Sequence, residues 1–162
     1  GGNAIQSPTG HAYIKECMRA NDAVYGGEMS AHHYFRDFSY CDNGNIPWLL
    51  ITELLSKTGK SMSTLIKEQQ INYPCSGEIN NTVKNADKII KDIEQHYRHR
   101  AVKIENTDGL SMSFERWRFN VRCSNTEPLL RLNVESKADT AMMQEKTNEL
   151  LAMISADDII KV

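Results

Sequence analysis

The densest polar turn in the sequence is Arg122-Cys123-Ser124-Asn125-Thr126-Glu127-Pro128, with Arg131 just beyond it. A phosphate needs several donors converging on its oxygens. This stretch offers a guanidinium, two hydroxyls, an amide and backbone N–H groups. Arginine supplies planar, bidentate donors that match phosphate, and the N–H groups of a turn can form an anion-binding nest. Between Tyr97 and Arg131, Lys and Arg outnumber Asp and Glu by seven to four, so the local field also favours an anion. Ser, Asn and Thr are equally ordinary turn formers. Composition alone leaves the phosphate cradle and the plain turn both open.

A second cluster is Gly26-Gly27-Glu28-Met29-Ser30-Ala31-His32-His33. A glycine pair lets a loop turn sharply and present Glu28, Ser30 and His32. Carboxylate and hydroxyl suit vicinal sugar hydroxyls, and an imidazole near neutrality can relay a proton. A surface loop with incidental histidines explains the same string. Adjacent side chains on an extended chain point to opposite faces, so His32 and His33 do not chelate one metal ion easily. Thr9-Gly10-His11-Ala12-Tyr13-Ile14-Lys15 is the third cluster. It places backbone N–H groups and His11 at the start of a helix, where the dipole is positive; a helix cap is the plainer reading. His96 and His99 have no carboxylate or cysteine at ligand spacing and read as a solvated helix end.

These clusters need elements to hold them. His11 to Asn21 spaces Ile14 and Met18 at i, i+4 and predicts a helix. Ala23-Val24-Tyr25 predicts a short buried strand ending at Gly26-Gly27. Glu28 to Asn45 lacks clean periodicity and reads as a structured loop or short hairpin. Asn45 is placed to cap the next helix, with Pro47 in its first turn. Trp48, Leu49, Leu50, Ile51, Leu54 and Leu55 cover more than one face, which predicts deep burial. Gly59 ends that helix. Ser61 opens another over Met62–Ile71, with Leu65 and Ile66 as core contacts.

Tyr73 to Asn81, with Pro74, Ser76 and Gly77, reads as a linker. Beyond it, Asn85 caps a helix carrying Ile89, Ile90, Ile93 and Tyr97. Thr107-Asp108-Gly109 between apolar alternations is a hairpin signal. Trp117, Phe119 and Val121 alternate, as do Leu130, Leu132 and Val134, predicting two strands with one wet face each. Thr140 to Ile154 predicts an amphipathic helix using Met143, Leu150, Leu151 and Ile154. The second half is therefore an α+β module with helices on one face of an antiparallel sheet. The first half reads as part of an α/β layer whose other strands are absent.

The chain has 162 residues, 40% hydrophobic and 25% charged. That is ordinary globular composition, richer in apolar residues than a disordered tail. No apolar run approaches the roughly 20 residues of a membrane span. A net charge of −2 and a pI near 6.2 argue against a nucleic-acid partner. The four cysteines are Cys17, Cys41, Cys75 and Cys123. They form no C-x-x-C, and free thiols in the cytoplasm are expected.

Thr9-Gly10-His11, the string Gly27-Glu28-Met29-Ser30-Ala31-His32-His33-Tyr34-Phe35-Arg36-Asp37, and Arg122-x-Ser124-Asn125-Thr126-Glu127-Pro128 together resemble the C-terminal half of bacterial phosphomannomutase/phosphoglucomutase enzymes, the α-D-phosphohexomutase superfamily. The resemblance runs in order over essentially the whole chain. It implies residues 1–75 as the C-terminal part of a sugar-binding α/β third domain. It implies residues 76–162 as a phosphate-binding fourth domain with a TATA-binding-protein-like α+β fold. It implies Glu28 and Ser30 on the sugar hydroxyls, and His32 and His11 in the cleft, His32 as a candidate proton relay. Arg122, Ser124, Asn125, Thr126 and Arg131 would hold the phosphate that is not transferred.

The implied reaction interconverts mannose 6-phosphate and mannose 1-phosphate, and glucose phosphates in dual-specificity members. It runs through a phosphoserine and a bisphosphate, with Mg2+ as cofactor. The departures are equally clear. The family's serine loop is missing, and no Asp-x-Asp-x-Asp metal loop occurs anywhere in the chain. Binding residues are present; the phosphoryl donor and metal ligands are expected from missing N-terminal domains, so the chain alone is expected to be inactive. The alternative is a non-catalytic phosphosugar-binding module.

Overall fold

The computed structural model describes residues 2–28, 30–124 and 129–156. They form two compact units, 1–65 and 66–162, each with its own sheet.

In the first unit, helix α1 (His11–Ala20) buries Ile14 and Met18, one turn apart. A three-stranded antiparallel sheet follows in the order β1 (Tyr25–Gly27), β2 (His33–Phe35), β3 (Cys41–Asp42). Ile14, Met18 and Tyr34 make the core, with Ala23 and Tyr40 against it. Gly26 lets α1 approach: a Cβ there would lie 2.7 Å from Met18 Sδ. The expected buried strand at Ala23-Val24-Tyr25 is shifted and wet. β1 starts at Tyr25, and Val24 and Tyr25 are exposed. The sheet is also not a lone strand. Its partners β2 and β3 come from Glu28 to Asn45, the segment read as a structured loop or short hairpin, and pair with each other as such a hairpin, each only two or three residues long.

Helix α2 (Asn45–Thr58) ends at Gly59, whose φ of 65° and N–H to the Leu55 carbonyl make the expected left-handed cap. Its start differs from expectation. The side chain of Asn43, not Asn45, accepts the free N–H groups of Asn45 (2.8 Å) and Ile46 (3.1 Å). Expected deep burial is overturned too. No α2 residue is buried; Trp48 is 65% exposed and Leu49, Leu50, Ile51 and Leu54 are exposed beside it. Apolar composition sets a demand for burial but does not itself supply a partner to meet it. Helix α3 (Met62–Asn72) likewise buries nothing, and Ile66 is exposed rather than a core contact.

The second unit is a five-stranded antiparallel sheet in the order β4-β8-β7-β6-β5. The strands are β4 (Ile79–Thr82), β5 (Lys103–Glu105), β6 (Leu110–Ser113), β7 (Trp117–Cys123) and β8 (Leu129–Ser136). Helices α4 (Ala86–Tyr97) and α5 (Thr140–Ala156) pack on it. Ile89, Ile93 and Tyr97 of α4 and Met143, Leu150 and Ile154 of α5 share one core with Met112, Phe119, Val121, Leu132 and Val134. The register explains the shared face: Met112 opposes Phe119, Phe119 opposes Val134, and Val121 opposes Leu132. Asn85 caps α4 through the Lys88 N–H. Gly109 turns the β5–β6 connection at φ 69°.

The expected linker is instead part of this sheet. Ile79–Thr82 pairs with Leu129–Leu132 as an edge strand. Before it, Ser76 N–H donates to the Val134 carbonyl at 2.9 Å, and the Pro74 carbonyl accepts from Ser136 N–H at 3.0 Å. No described helix is long and apolar enough to cross a membrane.

Candidate functional site

In the first unit, a tight turn carries the sugar-loop candidates. The Glu28 N–H donates to the His32 carbonyl at 3.0 Å and the Ala31 N–H to the Glu28 carbonyl at 3.1 Å. Ala31 pays for that turn with a φ of 64°. Ser30 Oγ donates to Glu28 Oε2 at 3.3 Å. The other carboxylate oxygen accepts the Tyr34 hydroxyl in a short hydrogen bond. Burial, then the bond to Glu28, raises the Tyr34 phenol above its usual range, so Tyr34 stays a donor and fixes the carboxylate. Glu28 is thereby held in place as an acceptor with lone pairs to spare.

His11 and His32 come together, ring centroids 4.5 Å apart and edge to face. His32 Nδ1 lies 2.7 Å from Asp42 Oδ2, and Asp42 Oδ1 accepts the His33 N–H at 3.0 Å. The hydrogen bond to His32, then that to the His33 N–H, holds the Asp42 carboxyl below the usual range. A carboxylate facing Nδ1 keeps the proton there and leaves Nε2 of neutral His32 as an acceptor. His33 turns the other way, to the Tyr25 hydroxyl at 2.7 Å. The opposite orientation of the two adjacent histidines follows from the extended backbone of β2.

In the second unit, Arg122 of β7 and Arg131 of β8 are direct cross-strand partners. They lie on the face away from the apolar core, near the end of β7 and the start of β8. Like charges directly opposite repel. Glu78, just before β4, offsets this: Oε2 is 3.1 Å from Arg122 Nη2 and Oε1 is 3.4 Å from Arg131 Nη1. Arg122 is not a solvated side chain; only 15% of it is exposed. The Ser124 N–H donates to the Leu129 carbonyl at 2.8 Å. Asn125 and Thr126 lie outside the described residues. His96, read as part of a solvated helix end, is exposed, and its Nε2 lies 3.7 Å from Glu149 Oε1 on α5.

Asp42, Tyr34 and Glu78 were not legible as site residues. Each acts through strand pairing, Tyr34 opposing Asp42 across β2–β3 and β4 lying beside β8. No local spacing signals such a pair.

Known proteins match this architecture along the chain. Residues 1–73 match the family model "Phosphoglucomutase/phosphomannomutase, alpha/beta/alpha domain III". Residues 78–152 match "Phosphoglucomutase/phosphomannomutase, C-terminal domain". The α/β unit with its Glu28 loop and the α+β unit with its arginine pair thus belong to one enzyme class. The chain is a member of the phosphoglucomutase/phosphomannomutase family. A phosphomannomutase of Escherichia coli is 56% identical over 154 residues, covering 95% of this chain and 34% of the relative. One of Vibrio cholerae serotype O1 is 58% identical over 160 residues, 98% of this chain and 35% of the relative. The crystal structure of a family protein from Burkholderia thailandensis shares the fold, with a TM-score of 0.67 at 24% identity over 92% of this chain and 32% of its own. The chain therefore spans about a third of the length of the curated relatives it matches.

Proposed function

We propose that this chain supplies the sugar- and phosphate-binding residues of a cytoplasmic phosphomannomutase that interconverts mannose 6-phosphate and mannose 1-phosphate, with glucose phosphates as further substrates. The observation that carries the reading is the Arg122–Arg131 cross-strand pair with Glu78 between its guanidiniums, in a chain 56–58% identical to phosphomannomutases. We place the division of labour at residue 75/76, the first part holding the sugar and the second the phosphate.

Glu28, fixed by Tyr34, accepts hydroxyl protons of the sugar, and Ser30 adds a donor. His32, its Nδ1 proton held on Asp42, accepts a hydroxyl proton at Nε2 and returns it, the task of a general base and then a general acid. His11 stands beside that ring. Arg122 and Arg131 bind the non-transferred phosphate through charge-assisted bonds, with Ser124, Asn125 and Thr126 completing the cradle. Phosphoryl transfer draws most of its acceleration from positioning and electrostatics, and these residues supply positioning.

The magnesium ion implied by the family does not fit the residues present. The chain has no Asp-x-Asp. Among the described residues, the metal-ligating cluster is His11, His32 and Asp42, whereas Mg2+ takes oxygen donors. The metal ligands and phosphoserine that the resemblance implies are therefore placed outside the residues of this chain.

The test joins this chain to the preceding two-thirds of the 56% identical relative and assays mannose 1-phosphate. Turnover is expected, falling about 10- to 150-fold in kcat/KM with Arg122→Ala. That is the loss of roughly 1.5–3 kcal/mol for bonds to a charged group. Unchanged kinetics in that variant would refute the phosphate role.

A further inference from the structure

The first unit brings together three metal-ligating side chains from three separate elements. His11 opens α1, His32 precedes β2, and Asp42 closes β3. One donor atom from each lies within 4.8 Å of the other two. We propose that His11, His32 and Asp42 form a site for a borderline transition-metal ion such as Zn2+ or Co2+. This goes beyond the mutase reading and does not depend on it, since neither the donors nor the test involve a sugar phosphate.

The donor set decides the class of ion. Two imidazoles and one carboxylate suit Zn2+ and its neighbours rather than Mg2+ or Ca2+. Three protein ligands leave a fourth position open to water, the arrangement of an accessible rather than a closed structural site. With metal–ligand bonds of about 2.0–2.1 Å, tetrahedral donors lie roughly 3.3 Å apart. The present spacing needs only modest side-chain rotation to reach that. The side chains have room for it, since His11 is exposed and the His32 side chain is 41% exposed.

The backbones that carry the donors are meanwhile fixed. Tyr34 opposes Asp42 in the sheet register, His33 N–H holds Asp42 Oδ1, and α1 packs Ile14 and Met18 against Tyr34. A metal here displaces the proton shared by His32 Nδ1 and Asp42 or uses His32 Nε2.

The experiment uses the untagged 162-residue chain. It is titrated with Zn2+ against a chromophoric chelator and with Co2+ by visible absorption, while histidine ring signals are followed by long-range 1H–15N spectra. One bound equivalent is expected, with the His11 and His32 rings shifting together. Affinity should fall about tenfold or more in His11→Ala, His32→Ala and Asp42→Asn. The cobalt spectrum should lack a thiolate charge-transfer band. The ring signals come from the unsubstituted chain, so they decide the matter even where a variant fails to fold. Absence of saturable binding, shifts confined to His33, His96 or His99, or a cobalt–thiolate band would each overturn the proposal.

Discussion

Arg122 and Glu78, 44 residues apart, meet at 3.1 Å across the start of β4, and the same carboxylate reaches Arg131. One glutamate thus spans two guanidiniums that strand pairing forces face to face. Glu78→Gln leaves both cations without that counter-charge. We expect the second unit to lose about 1–3 kcal/mol, the range for removing one partner from a half-buried charged contact. Inorganic phosphate should raise the melting temperature of the variant more than that of the wild type, because it replaces the missing anion. Equal phosphate response in the two proteins would show that Glu78 does not compete for these arginines.

The same contact changes what Arg122→Ala does. A solvated arginine would leave the melting temperature untouched, but this side chain is half of an ion pair. Calorimetry of the alanine variant should show a stability loss alongside the kinetic one, and Arg122→Lys should restore part of each, since a point charge cannot form the planar contact. A normal melting temperature in the alanine variant would mean the Glu78 pair contributes nothing to the fold.

Gly109 sets the position of Arg122 from below. A Cβ at residue 109 would stand 2.4 Å from Arg122 Cβ and 2.5 Å from the Val121 carbonyl oxygen, at a φ of 69°. Gly109→Ala therefore combines left-handed strain with overpacking against β7. At least about 2 kcal/mol should be lost, a drop of several degrees in melting temperature. A variant melting with the wild type would show that the hairpin shifts freely.

The hairpin around Gly109, the Asn85 cap and the alternation Trp117-Phe119-Val121 were all readable from sequence, because each depends on residues within a few positions of one another. The β4 edge strand was not. Ile79-Asn80-Asn81-Thr82 has the polarity of a linker, and only its partner Leu129–Leu132 makes it a strand. Glu28, Ser30, His11, His32, Arg122 and Arg131 were named from residue type. Asp42 and Glu78, which orient three of them, reach the site through sheet register and carry no local signal. The Trp48–Leu55 helix shows the reverse error: periodicity reports how much apolar surface exists, and says nothing of whether a partner covers it.

That helix makes its own prediction. Trp48, Leu49, Leu50, Ile51 and Leu54 are exposed together, and an apolar patch of several hundred Å² drives association. Sedimentation velocity on the 162-residue chain should show concentration-dependent self-association, weakened by Trp48→Lys with Leu49→Lys. A monodisperse wild-type monomer would contradict it.

Asp42 gives a pH dependence with a definite sign. Its folded carboxyl is held below the ordinary value by His32 and the His33 N–H. The stability it contributes is present above the unfolded carboxylate value, near 3.9, and is lost as pH falls through the lower folded value. Amide exchange in the β2–β3 pair should therefore accelerate in acid below about pH 4, and Asp42→Asn should remove that acid-sensitive component. A wild-type β2–β3 exchange profile flat through that range would contradict the pairing.

The most direct test of the central claim is an NMR titration of the 15N-labelled chain with mannose 1-phosphate at constant ionic strength. Saturable shifts are expected at the amides of Glu28, Ser30 and His32 and at those of Arg122 and Ser124, with the second group silent in Arg122→Ala. Shifts that never saturate, that sodium chloride reproduces, or that miss both loops would contradict the assignment of these residues to a hexose phosphate.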